Sequence, residues 1–157
     1  MHIVSERRRT LAAILALLLS ALLLLGFAPR ADAAGERFGH RRQMLALTNQ
    51  DRQHRDRREL AFAARLSRYA KSHSEAMARE GYLFHSTDDQ LRDALAGYDW
   101  AIGGENVGVG GSLDTLEEAF MASRLHRQNI LRPAFQRAAV GVVRDGDRYW
   151  VTVIFYG

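Results

Sequence analysis

The sequence predicts an α+β fold in which helices cover both faces of a small sheet. Three observations carry this reading. First, AVGVVR (Ala139–Arg144) and RYWVTVIFY (Arg148–Tyr156) flank Asp145-Gly146, the signal of a two-stranded hairpin with a type I′ turn. Second, the later strand is apolar at nearly every position from Tyr149 to Phe155. A strand buried on one face alternates apolar with polar residues, so an unbroken apolar strand is covered on both faces. Third, Leu60–Glu80 places Ala63, Leu66, Ala70, His73 and Met77 at spacings of three and four, the inward stripe of one long helix.

The remaining elements follow in chain order. Arg7-Arg8-Arg9 precede an uncharged, Leu-rich run over Leu11–Ala28, and Ala31-Asp32-Ala33 supplies the small-x-small pattern of a cleavage site. These are the three parts of a secretory signal peptide over residues 1–33. The run also reaches the lower length limit of a membrane span, so an uncleaved anchor is the second reading. Residues 34–42 are polar and basic and read as a disordered leader. The folded domain is expected over 43–157. A first helix is expected from Gln43 to about His54, with Met44, Leu45 and Leu47 inward, and HRDRR (His54–Arg58) as a loop or solvated end. Gly81 closes the long helix as a C-cap. YLFHS (Tyr82–Ser86) reads as a turn or short strand, and Asp88–Ala96 as a short helix. GGENVGVGG (Gly103–Gly111) reads as a glycine-rich loop. Asp114 is expected to start another helix, with Glu117 as its capping-box partner and Leu116, Ala119, Phe120 and Ser123 on one face. Pro133 bars helix beyond Leu131.

Composition narrows the function classes. Removing residues 1–33 from the 157 leaves 124, enough for one domain with a real core. That part keeps 18 basic and 16 acidic residues, a net charge near +2, which with export argues against a nucleic-acid partner. The chain has no cysteine, so neither a disulfide framework nor thiolate chemistry is available. The glycine stretch fits no G-x-G-x-x-G frame, since Leu113 stands where the last glycine would be. It also lacks the Lys and Ser/Thr of a P-loop. Its one acid, Glu105, would repel a phosphate. Either the glycines turn the backbone so that Glu105 points into a cleft, or Glu105 merely caps a turn or pairs with an arginine. His85 in FHSTDD and His126 in LHRQNIL are the other chemistry-bearing side chains. Together His85, Glu105 and His126 make a two-histidine, one-glutamate donor set of the kind that suits a divalent transition metal. Their separation along the chain cannot show that they meet, and HExxH is absent. His73, on the inward stripe, reads as a hydrogen-bonded core or cleft-wall histidine.

Several segments in fixed order carry a family resemblance. They are Met44-Leu-x-Leu-x-Asn49-x-x-Arg52, SHSEAMA at Ser72–Ala78, Gly81-Tyr82-x-x-His85-Ser86, GENV at Gly104–Val107 and Ser123-x-x-His126-Arg127-x-Asn129-Ile130-Leu131. The closing hairpin strands fit as well. The chain resembles the CAP superfamily of cysteine-rich secretory, antigen 5 and pathogenesis-related proteins, in its bacterial, SCP-like branch, over Gln43–Gly157. The resemblance implies a three-layer α-β-α sandwich around a small, mostly antiparallel sheet. It also implies a central cleft in which two histidines and two glutamates can hold a divalent metal such as zinc. His85, Glu105 and His126 fall on three of these positions. Ser123 stands where the second glutamate would be, and Phe120 where the family's tryptophan would be, so any zinc site is expected to be weak.

The family is mostly described through binding, including sterols and lipids in some members. The resemblance therefore implies a secreted, non-catalytic binding module with an unknown small or lipid-like ligand in a cleft lined by His85, Glu105, Asn106, Ser123 and His126. A membrane association would require an uncleaved signal segment. The competing reading is a secreted hydrolase using the same cleft, either through a Ser123–His126 nucleophile and base or through a metal-bound water activated by Glu105. No G-x-S-x-G elbow is present. A third reading is envelope interaction through the basic leader Gly35–Arg42. Asn106, Arg127 and Asn129 are expected to fasten their segments through side-chain to backbone hydrogen bonds.

Overall fold

The computed structural model describes the backbone of residues 30–157 and the side chains from residue 39 onward. The expected signal segment, but for Arg30–Ala33, lies outside the described residues. Gly35–Gly157 forms one compact unit. Among the described residues, five helices, α1 (Arg30–Gln53), α2 (Ser67–Glu80), α3 (Asp88–Leu95), α4 (Leu113–Ala122) and α5 (Arg124–Leu131), accompany four strands, β1 (Ala61–Phe62), β2 (Gly103–Gly110), β3 (Arg137–Asp145) and β4 (Arg148–Tyr156). The strands form one sheet in the order β1-β3-β4-β2. β3–β4 and β4–β2 pair antiparallel and β1–β3 parallel.

Alternation along β3 and β4 divides the core in two. Ala138, Val140 and Val142 with Val151, Val153 and Phe155 face one way, against Met44 and Leu45 of α1, Leu113, Leu116 and Phe120 of α4 and Ile130 of α5. Ala139, Ile154 and Tyr156 face the other way, against Ala70 of α2 and Leu95 of α3. Every residue of β4 from Trp150 to Tyr156 is buried, as its nearly continuous apolar pattern predicts. The result is the helix–sheet–helix sandwich, an α+β fold.

α2 lies unusually close to the sheet. A Cβ on Gly141 would fall inside the carbonyl group of Ala70. Ser74 Oγ also sits 2.9 Å from Thr152 Oγ1 and 3.1 Å from the Ala70 carbonyl, all buried. Gly141→Ala is therefore expected to push α2 off β3 and to lower the unfolding free energy by about 3 kcal/mol in urea denaturation. A loss below about 0.5 kcal/mol would show that the helix yields freely.

Several elements depart from the sequence reading. GGENVGVGG is a strand, not a loop: Gly103–Gly110 pairs along its whole length with β4, in register Glu105↔Ile154. Its glycines are contact positions. A Cβ on Gly108 would meet the Phe120 ring at 2.9 Å, and one on Gly110 would meet Leu116 at 2.9 Å. The missing side chains thus let α4 lie against this edge strand. The long helix begins at Ser67 rather than Leu60. Asn49 holds Leu60 by bonds to both its N–H (2.8 Å) and its C=O (3.1 Å), and Ala61–Phe62 then pairs with β3. Tertiary pairing overrides the helical spacing there. α4 is capped by Ser112, whose Oγ accepts from Thr115 N, and Glu117 is buried instead of closing a capping box. The capping box lies at α3, between Thr87 and Gln90. Asp145 pairs with Arg148, so the hairpin loop is Gly146-Asp147, with a positive φ (59°) at Gly146 and none at Asp147. That is the type II′ pattern rather than type I′. Finally, α1 runs from Arg30 through residues 34–42, where the sequence suggests an irregular leader.

Candidate functional site

The site is built on the edge strand β2. Glu105 and Val107 point to the α2 side, where Val107 joins Met77 and Trp150 in a buried cluster. Asn106 points to the α5 side. β4 covers only one edge of β2, so the chain following α2 and the start of α5 can approach its other edge.

Glu105 is 9 % exposed and accepts three hydrogen bonds. His85 Nδ1 lies 2.9 Å from Oε1, Ser86 N donates to Oε1 at 2.9 Å, and Ser86 Oγ donates to Oε2 at 2.7 Å. Tyr69 OH adds a bond of 3.1 Å to Ser86 Oγ. The segment after α2 is held from a second point, because His73 Nε2 lies 2.9 Å from the Phe84 carbonyl. His73 is buried beside Tyr69 and Phe84, the hydrogen-bonded core histidine expected from its stripe position. With Nδ1 on the carboxylate, His85 leaves Nε2 as the other ring nitrogen of a side chain that is 56 % exposed.

On the other side of β2, Asn106 Nδ2 donates to the His126 carbonyl at 3.1 Å and Asn106 Oδ1 accepts from Asn129 Nδ2 at 2.9 Å. Asn129 Nδ2 also reaches the Glu105 carbonyl at 3.2 Å. These bonds fix α5 to the strand that carries Glu105. Arg127 donates to the Met121 carbonyl at 2.6 Å and so ties the end of α4. The His126 ring meets Phe120 edge-on at 5.0 Å between centroids. Burial, and next the His85 imidazole, lower the His126 pKa from its ordinary value, so the ring is held neutral at pH 7. Ser123 is the residue between α4 and α5 and makes no side-chain capping bond.

The structure thus puts His85 on Glu105, and Asn106 on the His126 backbone. It does not close a metal cage. Among the described residues no group of three or more His, Asp or Glu is placed to hold an ion, and both Glu105 oxygens already take hydrogen bonds. His85, Glu105 and His126 are thus not gathered into the three-ligand set expected from the sequence. Sequence reasoning passed over Ser86 and Tyr69, which hold the Glu105 carboxylate. Ser86 stands beside His85 in the FHS motif, so adjacency was the available signal; Tyr69 carried none.

The family profile described as the cysteine-rich secretory protein (CAP) family matches residues 45–155. Protein YkwD of Bacillus subtilis (strain 168), uncharacterized, is 30 % identical over 115 residues, covering 69 % of this chain and 44 % of its own. The crystal structure of an extracellular protein containing an SCP domain from Bacillus anthracis str. Ames is 26 % identical, with a TM-score of 0.64 over 76 % of this chain and 41 % of that one. This chain therefore spans less than half the length of both. An outer surface protein from Borrelia burgdorferi, 13 % identical, shares the fold with a TM-score of 0.65 over 73 % of this chain and 90 % of its own. Among the described residues no helix is long and apolar enough to cross a membrane.

Proposed function

Because the chain belongs to the cysteine-rich secretory protein (CAP) family, we propose that it is an exported binding module whose ligand docks at the exposed His85 edge without turnover. Export rests on the signal-like pattern of residues 1–33 and on the extracellular and outer-surface character of two of its structural relatives. The observation that carries the binding reading is how Glu105 is held: it is 9 % exposed, and three hydrogen bonds from His85 and Ser86 fix it as a support for the imidazole rather than leave it open to a substrate proton. What it offers outward is one oriented imidazole. Near that imidazole along the chain stand Tyr82 (60 % exposed) and Leu83 (43 %), and next to His126 stands Leu125 (62 %). Large exposed apolar side chains beside a polar pair suit an amphipathic ligand with an acidic or hydroxyl head and an apolar body, in keeping with the lipid-like class. The hydrolase reading is disfavoured because the His126 ring packs edge-on against Phe120 and, among the described residues, no hydrogen bond joins it to the Ser123 hydroxyl.

Long-chain fatty acid and sterol probes titrated into isotope-labelled protein test this. Binding is expected to shift the His85, Tyr82, Leu83 and Leu125 resonances, and His85→Ala with Leu125→Ala to weaken it about tenfold, equivalent to ~1.4 kcal/mol. No response at the solubility limit of either probe, or peptide or ester turnover that disappears in His85→Ala or His126→Ala, would reject the reading.

A further inference from the structure

α1 and α4 leave a small surface hollow that shares no lining residue with the His85–Glu105 pair. Gln50 and Asp51 of α1, His54 just after it, and Asp114, Glu117 and Glu118 of α4 line it. No lysine or arginine does. Asp51 pairs with Arg55 at 2.9 Å, and Gln43 Nε2 reaches Asp114 Oδ2 at 3.5 Å. Glu117 is the anomaly. It is 3 % exposed, and its Oε2 accepts from Thr48 Oγ1 at 3.1 Å. Its Oε1 is buried without any hydrogen-bond partner. Native proteins rarely leave a buried carboxyl oxygen bare, and the residue that carries this one lines the hollow with three further acids.

We propose that this hollow binds a primary ammonium group, which donates to Glu117 Oε1 and is balanced by Asp51, Asp114 and Glu118. An ammonium brings three N–H donors of its own and does not need a tight oxygen shell. A metal ion does, and among the described residues no three acidic or histidine side chains are gathered closely enough for one. The group can come from a free polyamine or from a lysine side chain on a peptide.

Binding couples to protons, because burial, with Asp51 adding to it, raises the Glu117 pKa to about 8, and a bound cation would ionise it. Asp51 of α1, His54 and Arg55 in the turn after it, and Asp114 and Glu118 of α4 are the other titratable or charged groups around the hollow. A His54→Gln background therefore isolates Glu117. Isothermal titration of the full chain with spermidine, with an N-acetyl-lysine amide and with tetramethylammonium is the test. Either amine is expected to bind with release of about one proton at pH 6–7 and to weaken about tenfold per pH unit below pH 8, while tetramethylammonium, lacking N–H donors, does not bind. In Glu117→Gln, which keeps the Thr48 bond, proton release and pH slope are expected to vanish. A response to spermidine alone identifies a polyamine site, and one to the lysine amide alone a peptide site. No heat with either amine at ~20 mM, equal binding of tetramethylammonium, or an unchanged slope in Glu117→Gln overturns the proposal.

Discussion

Arg52→Ala is expected to lower the unfolding free energy by about 4 kcal/mol, read as a fall in the urea midpoint at unchanged slope. Arg52 is fully buried. Its guanidinium donates to the carbonyls of Arg58 (2.7 Å), Ile130 (2.6 Å), Arg132 (3.2 Å) and Phe135 (3.3 Å). Four chain segments are thereby gathered on one side chain: the end of α1, the strand approach to β1, the end of α5 and the turn into β3. Alanine would leave several of these carbonyls buried without a donor, each lost acceptor costing about 1–3 kcal/mol, and would open a cavity as well. Burial, and then the Arg57 charge, lower the Arg52 pKa, but from so high a value that the group stays charged. Among the described residues no carboxylate pairs with it, so the carbonyl dipoles hold the cation. Lysine cannot reproduce the planar fork, and Arg52→Lys is expected to lose about 2 kcal/mol. A loss under about 1 kcal/mol in Arg52→Ala would show that water or a local shift replaces the fork.

The second large effect is a pH dependence centred on Glu117. Burial is the main cause, with Asp51 adding to it, and together they raise its pKa from 4.5 to about 8. The unfolded chain binds this proton only below the ordinary carboxylate range, whereas the folded chain keeps it up to about pH 8. The stability it confers is thus fully present below about pH 4.5, falls as the pH rises and is gone above about pH 8. The difference amounts to roughly 4–5 kcal/mol. Glu117→Gln removes the titration and keeps an acceptor for Thr48. Relative to the parent it is expected to gain stability progressively from pH 5 to pH 8, reaching about 3 kcal/mol near neutral pH, where the parent has already lost most of its advantage. Unfolding curves for the two proteins that stay parallel over that range would contradict a proton held on Glu117.

Glu117 also shows where sequence patterns mislead. Three residues after Asp114 it resembles a capping-box partner, yet Ser112 caps the helix and Glu117 turns inward to Thr48, 69 positions away. Leu60–Leu66 fails in the same way. Its spacing continues the stripe of α2, but pairing with β3 and the Asn49 bonds draw it into a strand. The glycines of β2 read as loop formers, because nothing in a single chain says that Phe120 and Leu116 will occupy the volume their missing side chains vacate.

What the sequence determined by itself was local and periodic. The nearly continuous apolar run of β4 required a sheet covered on both faces, Gly81 required the end of α2, and the ordered motifs placed the chain in its family. Those properties depend on residues a few positions apart, where chain geometry fixes who faces whom. Only the tertiary structure decided the rest: that Glu105 is locked by Ser86 and His85, that Arg52 is clasped by three distant carbonyls, and that Glu117 is buried with one oxygen bare. Such partners lie tens of positions apart, and their hydrogen bonds and desolvation exist only once packing has set their distances.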